Sequence, residues 1–345
     1  MTLVPVDRVR IVHNPVAPDA DPSTADVLNQ VRLVEEALLE LDIAAERTPV
    51  EVAALWDVPF HPGEVLFNLI ESPPGEPLLQ LAAAATLELR RLPFTGSPVH
   101  ALWLTTDKLA TRALLASEGV PVAPGGAFDP ERPGVLSRVR PPWILKAGLE
   151  DASVGLDLAA VVATPEAAIA RGRELRCRFP GQPIVVEHYL PGREFNVGVL
   201  EVDGAARVLP VAEMTFVDYP DDLPRIVGYE AKWVEGHVPY EATQRAFPDE
   251  GTEAPLLRAL RETAERAWSV TGVSGYARVD MRLDEEGSPC VLEVNANPCL
   301  SPEAGLIVAS ERSGLSRADV VRRILEAALR RAGSAGDGTP REGTC

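Results

Sequence analysis

Four polar side chains between Tyr276 and Asn295 have the types and spacing that suit a hard cation. Two runs of alternating residues, Tyr276–Leu283 and Pro289–Asn295, flank Glu285-Glu286-Gly287-Ser288 and read as an antiparallel hairpin closed by a four-residue turn. Pairing outward from that turn sets Asp280 opposite Glu293 and Arg278 opposite Asn295. With a side-chain period of two, all four project from one face, and Val279, Met281, Leu292 and Val294 from the other. Two carboxylates and an amide oxygen brought together in this way match Mg2+, which takes one or two carboxylates and fills its octahedron with waters and phosphate oxygens. The same residues would also make a solvated strand face with an Arg/Asp pair. A register slip of one residue would send them to opposite faces.

The lysines point the same way. Of 33 Lys plus Arg, three are lysine: Lys108, Lys146 and Lys232. In a chain so given to arginine, a compact ammonium on a flexible stem suggests a phosphate contact. Lys146 ends an apolar run, Pro141–Lys146, and is followed by small residues at Ala147-Gly148 and Asp151-Ala152-Ser153-Val154-Gly155, a loop whose backbone N–H groups can approach an anion.

Composition limits the partners. The 345 residues carry 51 Asp plus Glu against those 33 cations, a net charge of −18 that repels nucleic-acid backbones and anionic lipid. Four cysteines (177, 290, 299 and 345), with no C-x-x-C pair, are too sparse to staple a domain of this size, so a reducing, cytoplasmic setting is expected. MTLVPVDRVR lacks an apolar signal segment and no run spans a bilayer, so neither nucleic acid nor membrane is expected as a partner.

The elements that must position these groups follow from periodicity. Strands at Val9–His13 and Glu64–Ile70 alternate with helices at Ala25–Leu41 and Leu78–Arg91, the pattern of a parallel α/β layer. No G-x-G-x-x-G follows the first strand, which removes the main support for a dinucleotide enzyme. Thr105-Thr106-Asp107 caps a helix at Lys108–Glu118. A helix at Pro165–Arg178 and a strand at Pro183–Tyr189 precede a turn at Pro191-Gly192. Ala212–Asp249 lacks periodicity and reads as a long functional loop, followed by helices at Ala254–Val270 and Arg317–Arg331.

Tyr276-Ala-Arg-Val-Asp280 followed by Leu292-Glu-Val-Asn-Ala-Asn-Pro298 resembles the ATP-grasp ligases, and among them the D-alanine:D-alanine ligase family. The resemblance runs in order through FNLIES (67–72), PFTGS (93–97), Asp107-Lys108, Ile144–Lys146, EDASVG (150–155), VEHYLPGREF (186–195) and YEAKW (229–233). It implies an α/β chain: an N-terminal Rossmann-like parallel sheet (1–103), then a two-lobed α+β ATP-grasp module with a small lobe (104–186) and a large lobe bearing the metal and catalytic site (187–331). A disordered tail (332–345) is expected to follow.

The resemblance also implies roles. Lys108, Lys146 and Ser153 would contact ATP phosphates, Glu187 the adenine amino group and Glu194 the ribose hydroxyls. Lys232 would reach the γ-phosphate from a lid formed by the long loop. Asp280, Glu293 and Asn295 would hold two Mg2+ ions, with Mn2+ as a substitute, and Arg278 would stabilise an acyl phosphate and the tetrahedral intermediate. The implied activity is ATP-dependent ligation of a carboxylate to an amine, on amino acids or peptides, by a protein whose family is commonly homodimeric. Authentic D-alanine ligation and a non-catalytic ATP sensor are the competing readings. Cys299 and His188 are expected to be structural neighbours rather than catalysts.

Departures from the family pattern fall on the substrate side. Ala152 replaces a serine and Trp233 a tyrosine, Ala304 stands where a serine often binds the acceptor carboxylate, and Pro15–Ala25 holds no counterpart of the family's N-terminal glutamate. D-Alanine is therefore expected to be a poor substrate pair. Backbone amides near Leu300 and Ser301 are expected to restore part of the lost carboxylate contact.

Overall fold

The computed structural model describes residues 6–61, 63–234 and 236–336. Its first layer contains β1 (Arg8–His13), α1 (Pro22–Ala25), α2 (Val27–Glu40), β2 (Ala44–Pro49), β3 (Val65–Leu69) and α3 (Leu79–Leu89). The strands are parallel in the order β2-β1-β3. Every residue of β3 is buried, as expected of a parallel strand covered on both faces. The helix expected at Ala25–Leu41 is divided: Asp21 caps α1 through Ser23 and Thr24, and α2 starts after Asp26. Strand β2 has no buried position, so it left no apolar period in the sequence to reveal it.

Next come α4 (Val99–Thr106) and α5 (Lys108–Ser117), the latter capped by the Asp107 carboxylate, which accepts from Leu109 N and Ala110 N. An antiparallel sheet follows, made of β4 (Gly125–Phe128), β5 (Trp143–Ala147), β6 (Val161–Val162) and β7 (Ile184–His188) in the order β4-β7-β5-β6, backed by α6 (Pro165–Arg178). It has a core of its own, in which Phe128, Trp143, Leu145, Leu175 and Val186 pack together.

The largest sheet takes β8 (Glu194–Val202), β9 (Ala205–Val208), β10 (Ala212–Phe216), β11 (Thr243–Ala246), β12 (Tyr276–Leu283) and β13 (Pro289–Asn295), ordered β11-β10-β8-β12-β13 with β9 on β8. The stretch Ala212–Asp249 is thus not one loop. It contains β10, β11 and two short helices, α7 (Tyr229–Trp233) and α8 (Val238–Ala242), each too short to show a helical or strand period in sequence. α9 (Ala254–Thr271) buries Leu257, Leu260, Ala264, Ala267 and Trp268 along one face and ends at Gly272 in the left-handed region (φ +68°).

The hairpin register at the functional end is the expected one, with Arg278 paired to Asn295 and Asp280 to Glu293. Nearer the turn it shifts. Met281 pairs with Val291 rather than Leu292, because a β-bulge at Leu292 absorbs one residue. Val279, Met281 and Val294 are buried in the core as expected, whereas Leu292 is only partly buried and packs beside Ala123, Leu190 and Cys290.

α10 (Gly305–Arg312) and α11 (Arg317–Gly336) close the fold. Leu306, Val321 and Ile324 share a core with Val31 and Phe67, while Val12, Leu66 and Leu102 share another with Phe195, Val279 and Val294. The first layer and the largest sheet therefore pack as one body. Part of the expected tail is helical, since α11 runs to Gly336; residues 337–345 lie outside the described ones. Among the described residues, no helix is long and apolar enough to cross a membrane.

Candidate active site

On the four-stranded sheet, Lys146 of β5 and Glu187 of β7 share a face, because Ile144 and Lys146 pair with Glu187 and Val185. Lys146 Nζ donates to Glu187 Oε2 at 2.9 Å, and Arg112 Nε lies 3.4 Å from Oε1. Arg112 is fixed in turn by the carbonyls of Ala123 and Gly125. Gly125, the strand partner of Glu187, must be glycine: a Cβ there would stand 2.3 Å from Val186 O and 2.8 Å from Glu187 Cα. Arg112 was not singled out from sequence, although its place one turn beyond Lys108 on α5 puts the two cations on one helix face.

Lys108 Nζ donates to Glu150 O at 2.5 Å and lies 3.7 Å from Asp151 Oδ1. Burial opposes its charge, but the carboxylates of Glu293, Asp151, Glu150 and Glu187 outweigh that and hold its pKa above the usual lysine value. Lys108 and Arg112 line a small cavity with Leu292 and Glu293, and so join α5 to the hairpin. The bulge turns Leu292 into this cavity, which the strict alternation read from sequence did not foresee.

The loop after β5 has Ala152, Ser153 and Gly155 at positive φ (52°, 63° and 74°), a conformation that non-glycine residues adopt rarely. Ser153 Oγ donates to Val227 O at 2.9 Å, and Tyr229 N donates to Leu156 O at 3.0 Å. A Cβ at Gly228 would come 2.6 Å from Leu156 O, so glycine permits this approach. Arg225 O accepts from Tyr189 OH (3.1 Å) and Arg282 Nη2 (2.5 Å). The segment leading into α7 is thereby drawn down onto the small-residue loop and the largest sheet.

On that sheet Arg278 grips Asp280 bidentately, Nε to Oδ1 and Nη2 to Oδ2, both at 2.7 Å. Asn196 of β8 adds a third bond to Oδ1 at 2.8 Å. Burial works against the Asp280 charge, but Arg278, Lys232 and Asn196 keep its carboxyl below the usual range. Glu293 accepts no side-chain or backbone hydrogen bond among the described residues, and Asn295 Oδ1 accepts one, from Asn297 N at 2.9 Å. Lys232 of α7 faces the same group. Burial and Arg278 pull its pKa down, while Asp280, Glu293 and Glu194 act to raise it. Glu194 is buried, its carboxyl raised by that burial, with Arg282 Nη1 3.7 Å away. Among the described residues no three His, Cys, Asp or Glu side chains are grouped to hold a metal; the hairpin offers two carboxylates and an amide.

The loop after β13 meets the first layer. Asp26 Oδ2 accepts from Cys299 Sγ at 2.9 Å and Ser301 Oγ at 2.7 Å. Asp26 lies one residue past Pro15–Ala25, the loop that holds no counterpart of the family's N-terminal glutamate. Leu300 N donates to Gln30 Oε1 (3.0 Å) and Ser301 N to Cys299 Sγ (3.3 Å), so neither amide is free to hold a substrate carboxylate as expected. Gln30 Nε2 donates to Glu71 Oε1 at 2.7 Å. Burial pushes the Glu71 carboxyl up to about 7; Gln30 opposes this, and Asp26 and Asp151 add to it. Burial and the Asp26 carboxylate likewise raise the Cys299 thiol, which keeps it protonated and a poor nucleophile. His188 is a buried strand residue whose Nδ1 contacts Arg140 O. In α7, Trp233 Nε1 is buried with no partner among the described residues.

Residues 131–326 match the family described as D-ala D-ala ligase C-terminus. A D-alanine–D-alanine ligase of Gluconobacter oxydans is 32% identical over 269 residues, covering 78% of this chain and 82% of the relative. An uncharacterized protein of Sinorhizobium fredii is 31% identical over 269 residues, 77% of this chain and 75% of its own. Among solved structures, the D-alanine–D-alanine ligase of Bacillus anthracis superposes with a TM-score of 0.76 at 16% identity, covering 95% of this chain and 99% of that one. The same enzyme complexed with ATP gives 0.73 at 17% identity, covering 96% and 100%.

Proposed function

The chain belongs to the D-alanine–D-alanine ligase family, and from that premise we propose that it joins a carboxylate to an amine at the expense of ATP, on amino-acid or peptide substrates. The observation that carries the reading is the Arg278–Asp280 pair beside Glu293, with Lys232 brought over the same sheet face. A protein that only sensed ATP would have no use for a buried guanidinium poised at a reacting carbonyl.

The residues suit Mg2+. Asp280 Oδ1 already accepts two bonds but Oδ2 only one, Glu293 is uncommitted among the described residues, and Asn295 Oδ1 retains one lone pair. Asp280, Glu293 and Asn295 would hold one or two ions, which when bound neutralise phosphate charge as the γ-phosphoryl transfers. Lys146 and Lys108 hold phosphates from the fixed sheet and helix, and Lys232 does so from the lid segment. Ser153 holds the small-residue loop to that segment. Glu187 and Glu194 offer acceptors for an amino edge and a ribose diol, with Leu292 as an apolar pad beside them.

A substrate carboxylate oxygen attacks the γ-phosphorus and ADP departs, leaving an acyl phosphate. The amine nitrogen of the second substrate then attacks the acyl carbon, and inorganic phosphate leaves as the nitrogen loses a proton. Arg278 offsets the negative charge that develops on the carbonyl oxygen. The lid keeps water from the acyl phosphate. No side-chain nucleophile is needed.

The test is steady-state ADP release with amino acids and dipeptides in pairs, each product identified by mass. ADP release that requires both an added carboxylate and an added amine, with a condensed product, is expected, and D-alanine is expected to be a poor pair. If D-alanine gives the highest kcat/KM, with D-alanyl-D-alanine as product, the departures at Ala152, Trp233 and Ala304 are tolerated substitutions. ADP release indifferent to added amine would end the ligase reading.

A further inference from the structure

Arg245 stands on the active face of the largest sheet without an ion-pair partner among the described residues. It is the strand partner of Met214, Met214 pairs with Glu194, and Glu194 pairs with Arg282. Directly paired residues of antiparallel strands share a face, so Arg245 lies on the side that carries Arg278 and Asp280. Arg278 is neutralised by Asp280, whereas Arg245 forms no salt bridge among the described residues. Its Nη1 donates to the backbone carbonyl of Glu303 at 3.0 Å, and its buried Nε has no partner among the described residues.

The guanidinium reaches the start of α10. A Cβ on Gly305, the first residue of that helix, would lie 3.8 Å from Arg245 Nη2 and 4.0 Å from Arg278 Cδ. The residue before it, Ala304, provides no side-chain cap, so the first N–H groups of α10 also lack an acceptor from that source. Two arginines and an uncapped helix start converge on one small region. Burial and the nearby Arg278 disfavour the Arg245 charge more than the Glu303 carboxylate supports it, a strain that an anion seated there would relieve.

We propose that Arg245 binds the carboxylate of the amine-bearing substrate, making that substrate a free amino acid or a peptide with a free C-terminus. The proposal rests on the ligase reading above. The alternatives nearby are closed: Ala304 has no hydroxyl, and the amides of Leu300 and Ser301 are taken by Gln30 and Cys299. A carboxylate held by Arg245 beside α10 would place the α-amine of the same molecule on the Arg278 side, where the acyl carbon is attacked.

The experiment compares the best acceptor from the ADP-release screen with its own carboxamide, in wild type, Arg245→Gln and Arg245→Lys. Wild type is expected to prefer the carboxylate by about 10- to 100-fold in kcat/KM. Arg245→Gln should raise the acceptor KM by a similar factor and erase the preference, with the KM for ATP unchanged, and Arg245→Lys should recover part of it. A preference that survives intact in Arg245→Gln overturns the proposal and leaves the ligase reading standing. Melting curves check folding, with Arg245→Met as a second variant should the glutamine variant fail to fold. If wild type shows no amine-dependent ADP release, the ligase reading has failed separately. Arg245 is then judged by calorimetric titration of glycine, D-alanine and L-alanine against their amides into the ADP- and Mg2+-loaded protein. Equal binding of acid and amide, or no binding, overturns it; binding of the acid alone that disappears in Arg245→Gln sustains it.

Discussion

Glu187 is held by two cations, Lys146 on one oxygen and Arg112 on the other, while Asp26 and Glu71 meet only neutral donors: a thiol, a hydroxyl and two amides. The end of the site proposed to take the nucleotide thus has its charges paired within the protein. The end proposed to take the amine-bearing substrate keeps its charges apart, with carboxylates at Asp26 and Glu71 and, at Arg245, a guanidinium with no ion-pair partner among the described residues. The titration behaviour follows the same division: carboxylates hold Lys108 charged, whereas Glu71 is pushed up to about 7 and Arg245 down. A buried charge lacking a counter-charge is costly in an empty protein, and a ligand that supplies the missing partner recovers that cost on binding. Separated charges of both signs suit a zwitterion. ATP instead brings its own cation, so the groups that meet it can be paired in advance.

The contrast can be broken first at the hairpin. Asp280→Asn or Glu293→Gln removes a negative charge but almost no volume, and should lower Mg2+-dependent turnover by about a thousandfold; Glu293→Gln should leave the melting temperature nearly unchanged, whereas Asp280→Asn strips Arg278 of its counter-charge and should lower it. Near-normal turnover in both variants would falsify the metal assignment. Next, Lys146→Met should weaken ATP binding by about 10- to 100-fold, since it removes a fixed cation and leaves Glu187 to Arg112 alone. Lys232→Met, on the segment proposed as a lid, should weaken it less than about tenfold, and equal dissociation constants would contradict the proposed distinction between a fixed contact and a lid contact.

A pH experiment sharpens the substrate half. The Glu71 carboxyl is raised from 4.5 in the unfolded chain to about 7 in the fold, so between those values the native state binds more protons than the unfolded one. Stability from this group is therefore highest below about pH 4.5 and falls as pH rises toward 7. Glu71→Gln should stabilise the ligand-free protein by about 1–2 kcal/mol at pH 8, a figure lowered for its partial exposure, and by almost nothing at pH 4.5. Denaturant titrations at the two pH values check this, and an equal effect at both would mean that Glu71 is ionised throughout. The smallest effect belongs to the tie between the small-residue loop and the segment leading into α7. Ser153→Ala loses one hydrogen bond to Val227, about 0.5–1.5 kcal/mol, and should speed proteolytic nicking of residues 217–242 by no more than about tenfold.

The hairpin was legible in sequence because its partners are close along the chain and strand periodicity is two, so residue types alone place Arg278, Asp280, Glu293 and Asn295 on one face. Its bulge was not legible. Nothing in the composition of Val291-Leu292-Glu293 says which residue the partner strand will skip, and that choice turned Leu292 from the core to the cavity beside Lys108. Arg112 could have been found from its helical spacing to Lys108. The short elements inside Ala212–Asp249 could not, since four or five residues complete too few periods to stand out.

What the sequence determined by itself was the family and the single strand face that Arg278, Asp280, Glu293 and Asn295 share, both carried by local patterns that survive without knowledge of distant neighbours. Tertiary structure alone decided the region around Asp26 and Arg245. Asp26 meets Cys299 across 273 residues of chain, and Arg245 reaches Gly305 from an edge strand three places away from β12. Such meetings depend on how α2 and α10 pack against separate sheets and on the register of β11 against β10, and side-chain spacing along one segment holds no record of either. The physical reason is that hydrogen-bonded periodicity is written within an element, whereas the convergence of unpaired charges is set by the packing between elements.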